Sequence, residues 1–280
     1  ANRDWQKYYY VICGNCNRFL FSMQEIKFRC CPICQMPLSE SGRRTNRTIE
    51  GEFIIPEFGF LVNNGDEPRK SGEARPIRNY STQVHFAEYR VPDAEEPMDI
   101  DLELVEALSG EQIQVKQRYS KFAWLAVINQ GYLKHGYRVC TFCGHTENTV
   151  RSSAGRSTKT RKHKNPLTGR ECSGFLETVG LGHKFMTDAL ELRFEGHTAS
   201  EHKTNETWLS VLYALLEGAS LEMGIRRDDL DGTLYRYAGS LIPALVLFDN
   251  VPGGAGHMQA ISENLSVVMQ AALDRVSQEC

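Results

Sequence analysis

The sequence lacks a long apolar run and the motifs of a nucleotide-driven motor. No stretch approaches about 18 consecutive apolar residues, so we expect no membrane span and no membrane partner. Neither Gly-Lys-Ser/Thr nor Asp-Glu-x-His occurs, so these residues alone are not expected to hydrolyse ATP. No secretory leader is visible at the start. The first residue is not Met and Cys280 directly follows a helical pattern, so we expect a piece of a longer protein.

Two stretches of the sequence each lack charge of one sign, although the chain as a whole is nearly balanced. The net charge is only −3, so a general attraction to nucleic acid is not expected. From Pro92 to Glu106 there are seven acidic residues and no Lys or Arg. From Arg151 to Arg170 there are seven basic residues and no acid. The second stretch therefore predicts a strong local positive field.

The nine cysteines are unevenly distributed. Eight of them lie in two groups, and each group contains Cys-x-x-Cys. Disulfides accompany a secretory context, whereas paired Cys-x-x-Cys knuckles are typical of zinc sites. We therefore expect a reducing, cytoplasmic location and two bound Zn²⁺ ions.

The first group predicts a zinc ribbon over residues 1–40. Two Cys-x-x-Cys knuckles are separated by 14 residues, and four thiolates complete a tetrahedron around one Zn²⁺. Cys30 could replace Cys31, but Cys31 preserves the knuckle spacing. So small a module has little apolar core, so the metal is expected to supply most of its folding free energy. The predicted ligands are Cys13, Cys16, Cys31 and Cys34.

The second group offers three thiolates, from Cys140, Cys143 and Cys172. The fourth ligand must come from His145, His163 or a residue elsewhere. His145 lies very close to the knuckle, whereas His163 lies nine positions before Cys172, past a Pro-Gly turn where a loop can fold back. We favour His163. Three thiolates and one imidazole leave no open position, so this site is predicted to be structural.

The basic segment between these ligands is predicted to contact DNA, single-stranded or duplex. A loop held at both ends by a metal site loses less entropy when it meets phosphate oxygens, and such contacts position a partner without reading bases. An ordinary solvated loop is the alternative. The predicted contacts are Arg151, Arg156, Lys159, Arg161, Lys162 and Lys164, together with Arg43 and Arg44 after the ribbon.

The pattern changes from Val179 onward. Leu190, Leu192 and Phe194 alternate as on a strand face, and the segment "ETWLSVLYALLEGASLEMG" has the apolar spacing of a helix. "LIPALVLFD" predicts a buried strand, and "HMQAISENLSVVMQAALDRV" predicts a helix. The predicted fold class is α+β, with an N-terminal zinc ribbon, a β-rich middle and a C-terminal α/β core. The predicted boundaries are 1–40, 41–178 and 179–280, with the second zinc site and basic loop in the middle region.

A glycine-rich turn, "DNVPGGAGH", joins the buried strand to the last helical segment. Backbone N–H groups at such a turn can bind an anion, and a tight connection needing positive φ explains the glycines equally well. The residues of the possible anion site are Gly253, Gly254, Gly256 and His257. A nuclease or other hydrolase around the same turn would use His183, Asp188, Asp249 and His257, provided that these side chains converge and are open to solvent.

Several segments resemble one family: "FIIPEFGF", "CTFCG" with "HKNPLTGREC", "LGHKFMTDALEL" and "LFDNVPGGAGHMQAI". They are similar to the C-terminal region of mitomycin repair factor A-type DEAD/DEAH-box helicases and of the related stand-alone DISARM phage-defence subunit. The resemblance covers the chain from about Asp4 to the end. It implies a further cysteine cluster beginning at Cys280, truncated in this chain, and ATP hydrolysis in motor domains that these residues do not include.

The residues and the resemblance together favour a non-catalytic, zinc-stabilised accessory region of an ATP-dependent DNA helicase or translocase in DNA repair or phage defence. Its partners would be DNA and the motor domains, in cis or in trans. The alternatives are a hydrolase with its site at the glycine-rich turn and a pure protein–protein docking module.

Overall fold

The computed structural model describes most of the predicted elements. The described residues are 5–16, 18–25, 29–32, 34–40, 43–44, 48–56, 80–89, 98–99, 104–105, 112–132, 134–148, 162–195, 205–236 and 242–277. Of the predicted DNA contacts, Arg151, Arg156, Lys159 and Arg161 lie outside these ranges, as does Cys280.

Strands dominate the described part of the chain, and its three α-helices lie in the C-terminal third. The strands in chain order are β1 (Gln6–Ile12), β2 (Phe19–Ser22), β3 (Ser39–Glu40), β4 (Arg43–Arg44), β5 (Ile49–Ile55), β6 (Tyr80–Tyr89), β7 (Met98–Asp99), β8 (Leu104–Val105), β9 (Gln112–Tyr132), β10 (Tyr137–Cys140), β11 (Thr146–Asn148), β12 (His163–Lys164), β13 (Glu171–Cys172), β14 (Leu176–Glu195), β15 (Leu230–Tyr235) and β16 (Ala244–Asp249). The helices are α1 (Asn205–Met223), α2 (His257–Glu263) and α3 (Leu265–Ser277).

Two long antiparallel strands, β9 and β14, form the centre of a 12-stranded sheet. Both are rich in β-branched and aromatic residues, which pack well on a pleated surface. Their pairing runs from Leu181 opposite Asn129 to Glu195 opposite Gln114, and its register shifts between Thr187 and Ala189. That β-bulge places Asp188 out of the regular alternation, beside the point where β16 leads into the glycine-rich turn.

The N-terminal region joins the same sheet. Strand β1 pairs with β2 and β5, and β5 lies parallel to β14 with Phe53 opposite Gly180. The aromatic rings of Tyr8 and Phe53 stack at 5.2 Å in the small core beneath these strands. The sheet thus contains strands from all three predicted regions, and β14 itself runs across residues 178 and 179.

The largest apolar core lies between the sheet and the helices of the C-terminal third. All six residues of β16 are buried, as expected for the apolar run "ALVLFD". Trp208, Leu212 and Leu216 of α1 enter this core, and so do Leu265 and Val268 of α3. Among the described helices, none is long and apolar enough to cross a membrane.

The predicted α+β class is confirmed, with two differences in detail. The final helical segment is interrupted at Asn264, so that α2 and α3 are separate helices. Strand β15, which pairs with β16 along its whole length, carries a Gly and a Thr among few apolar residues and was not expected from the sequence. Its partner strand, rather than its own pattern, makes it a strand.

Candidate metal centres

The first candidate centre is formed by two backbone knuckles that face each other. In the first knuckle the N–H of Cys13 donates to the carbonyl of Arg18 at 3.0 Å, and in the second the N–H of Cys31 donates to the carbonyl of Met36 at 2.8 Å. These turns direct the cysteine sulfurs toward a common centre. The ligand atoms of Cys13, Cys16, Cys31 and Cys34 all lie within 4.8 Å of one another.

The sulfur spacing fits a tetrahedral zinc ion. The Sγ atoms of Cys13 and Cys34 are 3.6 Å apart, as are those of Cys16 and Cys31. Zn–S bonds of about 2.3 Å at tetrahedral angles separate sulfurs by about 3.8 Å. A disulfide needs about 2.0 Å, and these cysteines are free thiols.

The second knuckle contains Cys31 and not its neighbour Cys30. The Cys31 side chain is fully buried, whereas Cys30 is exposed and bridges to Pro37 on the outer side of the turn. The predicted preference for Cys31 therefore agrees with the geometry. The reason is the knuckle itself, in which only the residue three positions before Cys34 faces inward.

The second candidate centre is formed where β10 and the β12–β13 hairpin meet. Cys140 ends β10, and the knuckle closes with the Gly144 N–H donating to the Cys140 carbonyl at 2.9 Å. Across the hairpin His163 is directly opposite Cys172, so both point to the same side. The ligand atoms of Cys140, Cys143, His163 and Cys172 lie within 4.8 Å of one another and all four residues are buried.

The fourth group is His163 rather than His145. The Cys143 Sγ and His163 Nε2 atoms are 3.1 Å apart, and the Sγ atoms of Cys140 and Cys172 are 3.9 Å apart. His145 stacks its ring on His163 at 4.8 Å and 19°, beside the four ligand atoms. The His145 ring thus helps to hold the His163 imidazole in its orientation toward the thiols.

The electrostatics of the thiols suit a buried cation. Burial raises the pKa of the Cys16 thiol, and burial raises the pKa of the Cys143 thiol to about 12. Burial raises the pKa of the Cys34 thiol as well, but hydrogen bonds from the Asn15 side chain and the Met36 N–H outweigh it and lower that pKa to about 7. Zn²⁺ displaces the protons of such thiols because the thiolate is the ligand. The donor sets of both centres therefore fit zinc.

Gly174 is a supporting residue that sequence reasoning missed. A Cβ atom at this position would lie 2.5 Å from the Cys140 Sγ and 2.9 Å from the Phe142 Cβ, so no larger residue fits. Its N–H is 3.4 Å from the Cys172 Sγ, in the position of an N–H···S hydrogen bond. A glycine two residues after a ligand, in a segment without regular structure, is the only sequence signal.

The first centre lies against the C-terminal core. The guanidinium of Arg18 lies 4.5 Å over the ring of Tyr235, which belongs to β15. Burial lowers the pKa of the neighbouring Arg236, and the thiol groups of Cys16 and Cys34 oppose that effect. A positive side chain from the core thus lies close enough to offset the negative charge of a thiolate-bound ion.

Among the predicted DNA contacts, Lys162 and Lys164 flank the metal-centre residue His163 and are exposed. Lys162 forms an exposed ion pair with Glu171 at 3.2 Å. Arg43 and Arg44 form strand β4, which pairs with Ser39–Glu40 directly after the first centre.

The N–H groups of residues 253–257 in the glycine-rich turn donate within the chain. The Ala255 N–H donates to Asp249 Oδ2 at 2.6 Å and the His257 N–H to the same oxygen at 3.3 Å. The Gly253 and Gly254 N–H groups donate to the carbonyls of Met186 and Val251, and that of Gly256 to the Asp188 carboxylate. Two carboxylates and two backbone carbonyls of the protein thus accept hydrogen bonds from these N–H groups.

The two aspartates at this turn are buried rather than open to solvent. Asp249 is fully buried and Asp188 is 6% exposed, with the Tyr119 hydroxyl 3.3 Å from Asp188 Oδ2. Burial and the nearby Asp249 charge raise the pKa of Asp188. His183 is exposed on β14, five positions before Asp188. The solvent-open convergence that a hydrolase would need is thus not observed among these residues.

Comparison with known proteins finds similarity over parts of the chain. Residues 211–280 match the family described as MZB, the MrfA Zn-binding domain. The Druantia protein DruE of Escherichia coli (strain UMEA 4076-1) is 28% identical over 170 residues, covering 53% of this chain and 9% of DruE. The structure titled "Crystal Structure of DUF1998 helicase MrfA bound to DNA" aligns with 72% of this chain and 21% of its own, at 16% identity and a TM-score of 0.36.

The sheet and the two cysteine-rich centres define a candidate zinc-binding region of mixed α+β structure. More particularly, the match over residues 211–280 confirms the resemblance to the MrfA-type C-terminal region. The chain spans less than a tenth of the length of the curated relative. Both candidate centres lie before residue 211, and the only cysteine within the matched residues is Cys280.

Proposed function

We propose that this chain is a zinc-stabilised accessory region of an MrfA-type DNA helicase and that it contacts DNA through the basic segment of its second metal centre. One observation carries the proposal. Cys143 and His163, which flank the segment 144–162, converge to 3.1 Å. The segment therefore starts and ends at one metal site. It contains five of the seven basic residues found from Arg151 to Arg170, a range without an acidic residue.

The comparisons support the helicase context. MrfA, after which the matched family is named, is a helicase bound to DNA according to its structure title, and DruE is named as a protein of the Druantia system. In this proposal ATP hydrolysis belongs to motor domains in cis or in trans, and the parent assembly acts in DNA repair or phage defence. The zinc ions hold the DNA-contacting segment in place and take no part in chemistry.

DNA binding of the full chain as a function of salt tests this proposal. Each phosphate that a Lys or Arg contacts releases counterions, so log K falls with log[salt] by roughly 0.9 per contact on duplex DNA. Changing Arg161, Lys162 and Lys164 together to Gln should weaken binding and reduce the slope by about 3. Fluorescence anisotropy with a labelled duplex at several NaCl concentrations measures both.

A matched variant keeps the test specific. Changing Lys121, Arg226 and Arg275 to Gln removes the same charge from exposed positions outside the second metal centre. This control should retain the parental slope. Equal slopes for all three proteins would contradict the proposal. Loss of binding to a purified motor subunit without any change in DNA binding would favour the protein-docking alternative.

A further inference from the structure

Three large apolar side chains are exposed around the second metal centre. Phe142, between the ligands Cys140 and Cys143, is 55% exposed, Leu167 at the hairpin turn is 61% exposed, and Phe175 is 70% exposed. Single exposed apolar residues are ordinary, whereas several at one rigid point mark a binding surface. We call Phe142, Leu167 and Phe175 the apolar tip.

The two phenylalanines start from adjoining backbone. A Cβ atom on Gly174 would lie 2.9 Å from the Phe142 Cβ, so the segment leading into Phe175 packs directly against the knuckle. Phe142 is the residue before the ligand Cys143, and Phe175 follows the ligand Cys172 by three positions. A metal site fixes the backbone at both rings, so little entropy is lost when a partner orders them.

Two lysines lie directly before and after His163 of the second metal centre. His163 lies 3.1 Å from Cys143 and is flanked in sequence by Lys162 and Lys164, both exposed. The side chain of Lys162 is 78% exposed and its ion pair with Glu171 is open to water. Such exposed pairs contribute little stability, so Lys162 can exchange Glu171 for a phosphate at small cost.

We propose that Phe142 and Phe175 stack on unpaired bases of a single-stranded nucleic acid whose phosphates are contacted by Lys162 and Lys164. This rests on the proposed function, because it uses the same segment. Aromatic side chains beside cations are the usual means of holding single strands. A duplex presents phosphates but keeps its base faces covered. A protein partner fits less well, because lysine is depleted from protein–protein interfaces.

The experiment compares the full chain with two double variants on two probes, a fluorescein-labelled oligo-dT of 12 nucleotides and a 12-bp duplex. Phe142→Leu with Phe175→Leu keeps the surface apolar but removes the rings. Phe142→Tyr with Phe175→Tyr keeps them. The Leu pair should bind the single strand at least about tenfold more weakly than the parent, with the same salt slope and the same affinity for the duplex. The Tyr pair should retain the parental affinity for both probes.

Each other outcome overturns the inference. Parental single-strand affinity of the Leu pair would do so, and so would an equal loss on both probes. If either outcome occurred while the triple change of Arg161, Lys162 and Lys164 to Gln still reduced the salt slope, the proposed function would stand. No binding to either probe would overturn both. Zinc content is measured for every variant. If the Leu pair loses metal, the single variant Phe175→Leu tests the inference instead. It should bind the single strand at least about fivefold more weakly than the parent.

Discussion

At the scale of single residues, the positions next to the cysteines of the candidate centres differ sharply in burial and in available space. Cys30 and Cys31 are adjacent, yet one is exposed and the other is fully buried beside Cys16. Gly174 has no side chain because the Cys140 sulfur occupies that space. The knuckle geometry therefore distinguishes residues that composition cannot.

Replacing each of the adjacent cysteines separately tests the first centre. Cys31→Ser should lower bound zinc from about two ions per chain to about one, since oxygen replaces one of four thiolates. Cys30→Ser is the matched control and should retain both ions, because its side chain is exposed. Metal analysis of the purified proteins measures the difference. Loss of zinc from the Cys30 variant alone would reverse the ligand assignment.

The close approach of Gly174 to the second centre gives another prediction. Gly174→Ala should reduce bound zinc by about one ion, because its Cβ would lie 2.5 Å from the Cys140 Sγ. Gly169→Ala serves as control, since no atom lies within 4 Å of its Cβ position although φ is +67°. That change should cost roughly 1 kcal/mol from backbone strain while both ions remain. Equal zinc content in the two variants would refute the prediction.

At the scale of elements, the glycine-rich turn between β16 and α2 is organised by two buried carboxylates. Asp249 accepts hydrogen bonds from two N–H groups of the turn, and Asp188 reaches it from the bulge in β14. The Gly254 backbone packs on Asp188 so closely that a Cβ would lie about 2.4 Å from its carboxyl group. The turn is therefore shaped by contacts from a strand about 60 residues earlier.

The raised pKa of Asp188 predicts how stability depends on pH. The folded chain holds the Asp188 proton to higher pH than the unfolded chain, whose Asp titrates near about 3.9, so its ionisation costs stability as the pH rises through the raised pKa. Asp188→Asn removes this cost and should raise Tm relative to the parent at pH 7 to 8. The difference should shrink as the pH falls to about 3, below the unfolded-state pKa, where both states of the parent carry the proton.

Thermal unfolding of parent and variant across that pH range measures the effect. Asp274→Asn, on the exposed side of α3, is the control and should change Tm little at any pH. An advantage of the Asp188 variant that grows as the pH falls would have the wrong sign and would contradict the assignment.

At the scale of the whole molecule, two kinds of core hold one sheet together. The buried residues of the first centre are Val11, Leu38 and three of the cysteines, and those of the second are its three cysteines and His163. By contrast, the C-terminal core packs apolar side chains from α1, α2, α3, β14 and β16. Metal and apolar burial thus stabilise different parts of the chain.

Metal removal should therefore affect the chain unevenly. A strong zinc chelator should raise amide exchange at Cys31 and Leu38 and in β12 and β13, whose small clusters depend on the thiolates. Exchange in β16 and α1 should stay slow, because their burial is apolar. Hydrogen–deuterium exchange with mass spectrometry, with and without chelator, measures this. Uniform deprotection of the whole chain would show instead that the sheet unfolds as one unit.

The sequence by itself determined the features that depend on local spacing. Two knuckles separated by 14 residues were sufficient to group Cys13, Cys16, Cys31 and Cys34, because each knuckle is a short backbone turn. The helix α1 and the strand β16 followed from apolar periodicity in the same way. The MrfA-type resemblance was carried by local motifs and agrees with the match over residues 211–280.

Only the tertiary structure decided the features that depend on distant partners. Strand β15 exists because β16 pairs with it, and His163 joins the second candidate centre because the hairpin places it opposite Cys172. At the glycine-rich turn, the Gly256 N–H donates to Asp188, which lies on a strand far away in sequence. The physical reason is common to these cases: pairing and packing between remote segments leave no pattern in either segment alone.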